Sequence, residues 1–470
     1  MWPHFVHRHV GYGTAVVVRL TNEEAQGLAV WSASGLAACG LSAGDRVAIM
    51  LPADGSTIDE AADAQAQTLG LVLGAMRMAV IPVMINPALP PRERDAQITD
   101  AQVSHVIDST AAVAELFGAG ATGRTPDLSD TPLTRPMHFT SGTTGRSKGV
   151  WTGVLTHGEA AHVWGDEQDQ WQFEPTDTTL VHGPLAHSGP LRFALLALLA
   201  GGDVLLPGRF DAKRVADAMV EERPTHAFVV PSHLQRLFAL PDGPPPSPYR
   251  FLTHAGAQCP AALKRRIHQW AGIQRTWEFY GSTEGQFTAC HGPEWEQRPG
   301  TVGRARRGRT LTIDDGVIWC QTPAWTHFEY WGDPDKTAAA WRHTDSGSAF
   351  SVGDLGHLDD EGYLWIDGRR HDLIITGGVN VYPTQVEAAL IEHPGVVDVA
   401  VFGVDDEAWG HRVCAAVVGD VSQDDLRAFA KTRLAAYQVP KSVYPVAELP
   451  RNAAGKVLRT KLPEILGLPS

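Results

Sequence analysis

Short runs of β-branched and aliphatic residues recur through the first half of the chain: RVAIMLP (46–52), AVIPVMIN (79–86), SHVIDS (104–109), DVLLPG (203–208) and THAFVVPS (225–232). Segments with helical spacing separate them, and such alternation predicts a largely parallel α/β sheet. EEAQGLAVWSASGLAACG repeats its apolar residues at three- and four-residue steps and stops at Gly40, and DAKRVADAMVEER ends before Pro224. PDGPPPSPYR (241–250) reads as an exposed loop. Near residue 300 the pattern changes. GVIWC, GYLWID and DLIITGG read as antiparallel strands separated by Asp-Gly and Glu-Gly turns. After residue 372 a new α/β segment begins, in which QVEAALIEHPGVVDVAVFGV reads as helix, turn and strand. The longest apolar run, Phe193 to Gly202, is bracketed by Arg192 and Asp203. It falls short of the ~20 residues that a membrane span needs and reads as a buried helix running into a strand.

Composition narrows the class. A chain of 470 residues with 43% hydrophobic and 20% charged residues buries a real core. It should form roughly two to four domains, and collagen, coiled coil and low-complexity arrays are excluded. A formal net charge of -14 repels nucleic acid and acidic lipid, so the expected partners are small molecules or proteins. The basic cluster Arg304, Arg306, Arg307 and Arg309 is read as a solvated face. Cys39, Cys259, Cys290, Cys320 and Cys414 are scattered and lack CxxC spacing, so neither a disulfide framework nor a zinc site is indicated. With no signal-type apolar region in MWPHFVHRHVGYG, a cytoplasmic location is expected.

Residues 137–150, MHFTSGTTGRSKGV, pass from an apolar approach into a run of small and hydroxylated residues that ends in Arg146, Ser147 and Lys148. Such a loop suits polyphosphate. Small residues let backbone N–H groups approach phosphate oxygens, while Thr140, Ser141, Thr143, Thr144 and Gly142 form the cradle and Lys148 adds charge. The Walker A spacing is excluded, because Ser147 and Gly149 stand where that motif needs Gly and Ser or Thr.

TSGTTGRSKG resembles the signature loop of the AMP-forming adenylating enzymes, which include acyl-CoA synthetases, adenylation domains of nonribosomal synthetases and luciferases. Further stretches resemble motifs of the same family in the expected order, from near residue 20 to the C-terminus, and an acyl-CoA synthetase-like member is the leading reading. The resemblance implies an α/β fold: a large N-terminal domain (1–369) of layered α/β sheets plus a distorted β-barrel, and a small mobile α+β C-terminal lid (372–470) with the hinge near 369–372. PLAHSGPL (184–191) resembles the segment that flanks the acyl pocket, with His187 at the flanking position. THAGAQCP (253–260) resembles the strand and turn bordering adenine through Gly256, Ala257 and Gln258. In EFYGSTEGQ (278–286) the resemblance places Tyr280 and Gly281 at adenine, Thr283 at phosphate and Glu284 on Mg²⁺. An aromatic platform followed by hydroxyls and a carboxylate suits those tasks.

Further along, Asp354 can accept from both ribose hydroxyls, and Arg369 fits the matching ribose or phosphate contact. His371 stands where the family's hinge usually has Asp or Lys, a departure that bears on the balance between conformations, since a His can make such a balance sensitive to pH. Lys456, in PRNAAGKVLRTKL (450–462), matches the catalytic lysine. TGGVN would bring Gly377 and Gly378 to a narrow thiol tunnel, since glycines permit close approach. In DEAWGHRV (406–413) Trp409 and Gly410 would lie near the thiol donor. By order along the chain, Trp164, His187, Phe228 and His233 are candidates for the acyl pocket, favouring a short or aromatic acid. No acidic residue stands early in PLAHSGPL to pair with an ammonium, which favours an uncharged carboxylic acid over an amino acid. The chain also starts about thirty residues later than many relatives, and RLTNEEAQGLAVW is only loosely like the usual opening helix.

The implied activity is ATP-dependent formation of an acyl-adenylate with release of pyrophosphate, then acyl transfer to the CoA thiol, with Mg²⁺ as the metal. Two readings stay beside it: a ligase passing the acyl group to a carrier protein or an amine, and a nucleotide-binding relative without catalysis. Monomer and homodimer are both compatible with the sequence.

Overall fold

The computed structural model describes residues 7–10, 16–52, 58–121, 123, 125–140, 147–344, 347–369, 372–376, 379–406, 409–451 and 457–468. It divides into two compact units, Met1–Thr310 with Gln321–Phe350, and Leu311–Cys320 with Ser351–Ser470.

The first unit carries two sheets. One has nine strands, and its centre is a parallel run in which Asp203–Leu206, Thr178–Val181, His226–Val229, Phe251–His254 and Thr276–Glu278 are successive neighbours. Antiparallel strands extend both sides of this run. The other sheet orders Glu329–Tyr330, Lys148–Trp151, Met137–Thr140, Ile81–Met84, Arg46–Ile49 and His105–Ile107. All five strands expected from the apolar runs are present, each trimmed by a residue or more at its ends.

The helices follow their sequence signals. Asn22–Ala38 begins at Thr21, whose side chain and that of Glu24 form a reciprocal capping box; such a cap contributes about 1 kcal/mol. Helix Ser188–Leu199 and strand Asp203–Leu206 account for the long apolar run, and Leu191, Phe193 and Leu196 of that helix are fully buried. Each such side chain contributes about 1.5–3 kcal/mol by leaving water. They join Trp171, Phe228 and Phe279 in the main core.

In the second unit Asp354–Leu358 and Leu364–Arg369 form an antiparallel hairpin, and Val317 pairs with Leu355. A further sheet orders Val379–Val381, Ile374–Thr376, Gly410–Gly419 and Val396–Asp406, with Ser442–Pro445 parallel to Gly410–Gly419. Helices Pro383–Leu390 and Gln423–Lys431 bury Val386, Leu390 and Leu426 against it. No helix among the described residues is long and apolar enough to cross a membrane.

Candidate active site

Strand order gathers the sequence motifs. PLAHSGPL, THAGAQCP and the loop from Tyr280 follow the strands Thr178–Val181, Phe251–His254 and Thr276–Glu278, which lie within one parallel run. All three therefore emerge at the carboxyl ends of the strands, the place where open α/β sheets bind ligands. The second sheet contributes Thr140 at the end of its strand, opposite Lys148 across an antiparallel pair. Lys148 Nζ is 3.2 Å from Asp333 Oδ2, so a phosphate reaching this lysine competes with a carboxylate.

The Tyr280 loop is tightly made. Gly281 pairs with Gln286, and the Ser282 N–H donates to the Gly285 carbonyl at 2.8 Å, which leaves Thr283 and Glu284 at the tip. Tyr280 packs on Phe287 with centroids 4.7 Å apart, and its N–H donates to Thr288 Oγ1. Glu284 is buried, and its Oε1 accepts a 2.8 Å hydrogen bond from the Tyr330 hydroxyl. Lys336 Nζ lies 4.0 Å over the Tyr330 ring. Burial draws the Lys336 ammonium below its ordinary range, and Glu284 opposes that shift. Neither Tyr330 nor Lys336 stands in a motif that points to the site.

Thr283 and Glu284 open onto a cleft. Helix Ser188–Leu199 presents Ser188, Leu191, Arg192 and Leu195 to it, the three- and four-residue steps of one helical face. Helix His157–Trp171 adds Val163, Trp164, Asp166 and Glu167. Trp164 is fixed by its Nε1–H, which donates to the Pro132 carbonyl at 2.9 Å.

The electrostatics of this cleft were not foreseen. The four-arginine cluster read as a solvated face splits by accessibility: Arg304 and Arg307 are 55% and 88% exposed, whereas Arg306 and Arg309 are 0% and 6%. Arg306 pairs with Glu167 Oε1 at 2.8 Å and Asp166 Oδ2 at 3.0 Å and also reaches Gln286. Arg309 meets Asp166 Oδ2 at 3.2 Å. Burial pushes the Glu167 carboxyl up, but Arg306, Arg192, Arg309 and Arg135 outweigh it and bring the group down to about 2. His138 also lines the cleft, with Nδ1 3.0 Å from the Ala186 carbonyl. Burial, with smaller effects from His187, Arg192 and Arg135, lowers it to about 3 and keeps it neutral.

The other expected pocket residues are not on the cleft wall. His187 is half-buried at the cap of helix Ser188–Leu199. Phe228 stacks on Phe193 with centroids 4.9 Å apart, and a Cβ on Gly189 would come within 2.6 Å of its ring, so glycine permits this approach. His233 stacks on Phe210 at 4.2 Å, and burial lowers it to about 4. Gly256, Ala257 and Gln258 form an exposed turn in which Gly256 takes φ +87°, a left-handed conformation suited to glycine.

In the second unit Asp354 is buried and faces Arg369 across the hairpin ladder. Gly410 pairs with Thr376 across the antiparallel ladder. Trp409 is 53% exposed, with Lys441 Nζ 5.6 Å from its ring. Arg459 anchors this region through Glu387 at 2.6 Å and Asp372 at 3.5 Å. Ser141, Gly142, Thr143, Thr144, His371, Gly377, Gly378 and Lys456 lie outside the described residues.

Two family models match the chain: AMP-binding enzyme over residues 9–317, and AMP-binding enzyme C-terminal domain over 385–456. The chain belongs to the AMP-binding enzyme family and is an AMP-forming ligase. It is 32% identical to a long-chain-fatty-acid–CoA ligase, FadD13, of Mycobacterium tuberculosis, over 95% of this chain and 93% of that protein. A 2-succinylbenzoate–CoA ligase of Bacillus licheniformis is also 32% identical, over 81% and 83%. ATP-bound MatB from Rhodopseudomonas palustris superposes with a TM-score of 0.81 at 29% identity, covering 94% of this chain and 93% of that one.

Proposed function

We propose that this protein is an acyl-CoA synthetase that joins a carboxylic acid to ATP and then passes the acyl group to the thiol of CoA. The observation that carries this reading is the convergence of Tyr280, Thr283, Glu284 and the His187 segment at the carboxyl ends of one parallel strand run. In the first half-reaction a carboxylate oxygen attacks the α-phosphorus of ATP, the bond to the β-phosphate oxygen breaks, and pyrophosphate leaves. Two anions must meet, so the residues act by positioning and by neutralising charge. Tyr280 stacks with adenine, Asp354 holds the ribose hydroxyls with Arg369 nearby, and Thr140 to Thr144 with Thr283 and Lys148 hold phosphate. Lys456 supplies charge at the reacting phosphate.

Glu284 fits a magnesium ligand: it is a single buried carboxylate oriented by Tyr330, and Mg²⁺ is commonly held by one or two carboxylates with substrate phosphates. When bound, the ion would neutralise developing charge on the polyphosphate. In the second half-reaction the C-terminal domain turns about the 369–372 hinge. The thiol sulfur attacks the acyl carbonyl beside Gly377, Gly378, Trp409 and Gly410, AMP leaves, and the thiol proton passes to solvent. The free thiols of the described cysteines fit a reducing, cytoplasmic setting.

A panel of carboxylic acids, assayed with and without CoA, tests the reading. Acid-dependent pyrophosphate release followed by CoA acylation is expected. No pyrophosphate with any acid sinks the enzyme assignment, and pyrophosphate without CoA consumption moves the acceptor to a carrier protein or an amine.

A further inference from the structure

We propose that Arg135 and Arg192 form a subsite for a second carboxylate on the acid substrate, so that the enzyme activates a dicarboxylic acid. This assignment deepens the ligase reading above and depends on it. Both arginines line the cleft that also holds Thr283 and Glu284. Arg309, also on the cleft wall, is engaged by Asp166, and the neighbouring Arg306 by Asp166, Glu167 and Gln286. Glu167 is already engaged at both oxygens, one taking Arg306 and the other accepting from Trp171 Nε1–H at 3.1 Å. Among the described residues neither Arg135 nor Arg192 has an ion-pair or hydrogen-bond partner.

Arg135 and Arg192 are half-buried and repel one another, and the carboxylate whose attraction reaches both, Glu167, is shared with Arg306 and Arg309, so a ligand carboxylate would supply the counter-charge this pair needs. Burial, followed by repulsion from Arg192, draws Arg135 down to about 10, with Glu167 opposing the fall. A guanidinium fork matches a carboxylate with two parallel hydrogen bonds. Val163, Leu191, Leu195 and Phe350 supply an apolar wall for the carbon skeleton between the two acid groups. Arg135 and Arg192 would repel an ammonium group placed between them, in line with the missing acid in PLAHSGPL, and a second carboxylate replaces the expectation of an otherwise uncharged acid.

The polyphosphate of ATP is the other source of anionic charge, and the test separates the two. Calorimetric titration of the full chain compares adipate with hexanoate and 4-carboxyphenylacetate with phenylacetate, alongside acid-dependent pyrophosphate release. At least one diacid is expected to bind and react about tenfold or more better than its partner. In Arg192→Met, and separately in Arg135→Met, that ratio should fall towards one while the Kd for ATP stays within about twofold, a change below 0.5 kcal/mol. Equal binding of both members of each pair by the wild type overturns the proposal. So does loss of ATP affinity in the variants with the acid ratio intact, which would assign the arginines to phosphate. Diacid preference in calorimetry without any pyrophosphate would instead defeat the ligase reading and leave the subsite standing.

Discussion

The hydroxyl of Tyr330 donates to Oε1 of Glu284 at 2.8 Å, joining a strand of one sheet to a loop between two strands of the other. The bond leaves Glu284 oriented while its second oxygen can take a cation. Glu284→Gln removes the charge and should lower the rate of acid-dependent ATP–pyrophosphate exchange by about 10²–10³. Tyr330→Phe keeps the carboxylate but frees its orientation, so a smaller loss, about 10–100-fold and partly recovered by raised magnesium, is expected. A Tyr330→Phe enzyme with an unchanged magnesium dependence would break the link between these residues.

Lys456 and the hinge should separate the two half-reactions. Lys456→Ala is expected to block adenylate formation yet still convert supplied acyl-adenylate and CoA to thioester. Equal loss of both steps would argue against alternation of the C-terminal domain. His371→Pro stiffens the backbone at the hinge and should spare adenylation more than thioester formation. Single-turnover assays of each half-reaction decide both points, and the reverse pattern for His371→Pro would show that the hinge lies elsewhere.

What could be read from the chain depended on locality. Runs such as DVLLPG and THAFVVPS identify strands because a fully buried parallel strand is marked by its own composition. Adjacency of motif loops follows once those strands pair in parallel. Arg306 and Arg309 were misread because nothing within RARRGR distinguishes them from Arg304 and Arg307; their burial is set by Asp166 and Glu167, some 140 residues away. Tyr330 escaped notice for a similar reason, being 46 residues from Glu284 and outside every motif. Arg192 carried a usable signal, a charge at the border of an otherwise apolar helix, and its partner signal lay in Arg135 just before the phosphate loop.

The Glu167 cluster should make stability fall in acid. Its carboxyl sits near 2 in the folded chain against an ordinary 4.5. A depressed carboxylate stabilises the fold above its unfolded pKa, and that contribution is lost as pH falls through the folded value. The difference amounts to about 3 kcal/mol. Glu167→Gln should therefore lower the urea midpoint clearly at pH 7, and the gap from wild type should narrow as the pH falls below about 4.5, to roughly half by pH 3. A gap that stays constant over this range would mean that Glu167 gains nothing from the arginines.

Lys264 offers the sharpest stability test because it is a fully buried cation away from the cleft. Its Nζ meets Glu278 Oε2 at 3.1 Å and also contacts His254 Nε2. Burial holds His254 well below its usual range and therefore neutral. Burial also pushes the Glu278 carboxyl up, with Lys264 opposing the rise. Lys264→Met leaves Glu278 buried without its cation, which should cost about 3–5 kcal/mol at neutral pH. The sign with pH follows from the raised pKa: such a carboxyl contributes stability below its unfolded value and loses it as pH rises through the folded one. Removing Lys264 raises the folded value further, so the penalty should be small near pH 5 and grow towards pH 8. Denaturant midpoints across that range, with Lys264→Met/Glu278→Gln as the control that removes both charges, check the assignment. The double variant should recover much of the loss, and a double variant as unstable as the single one at pH 8 would show that packing of the lysine stem, not its charge, holds this part of the core.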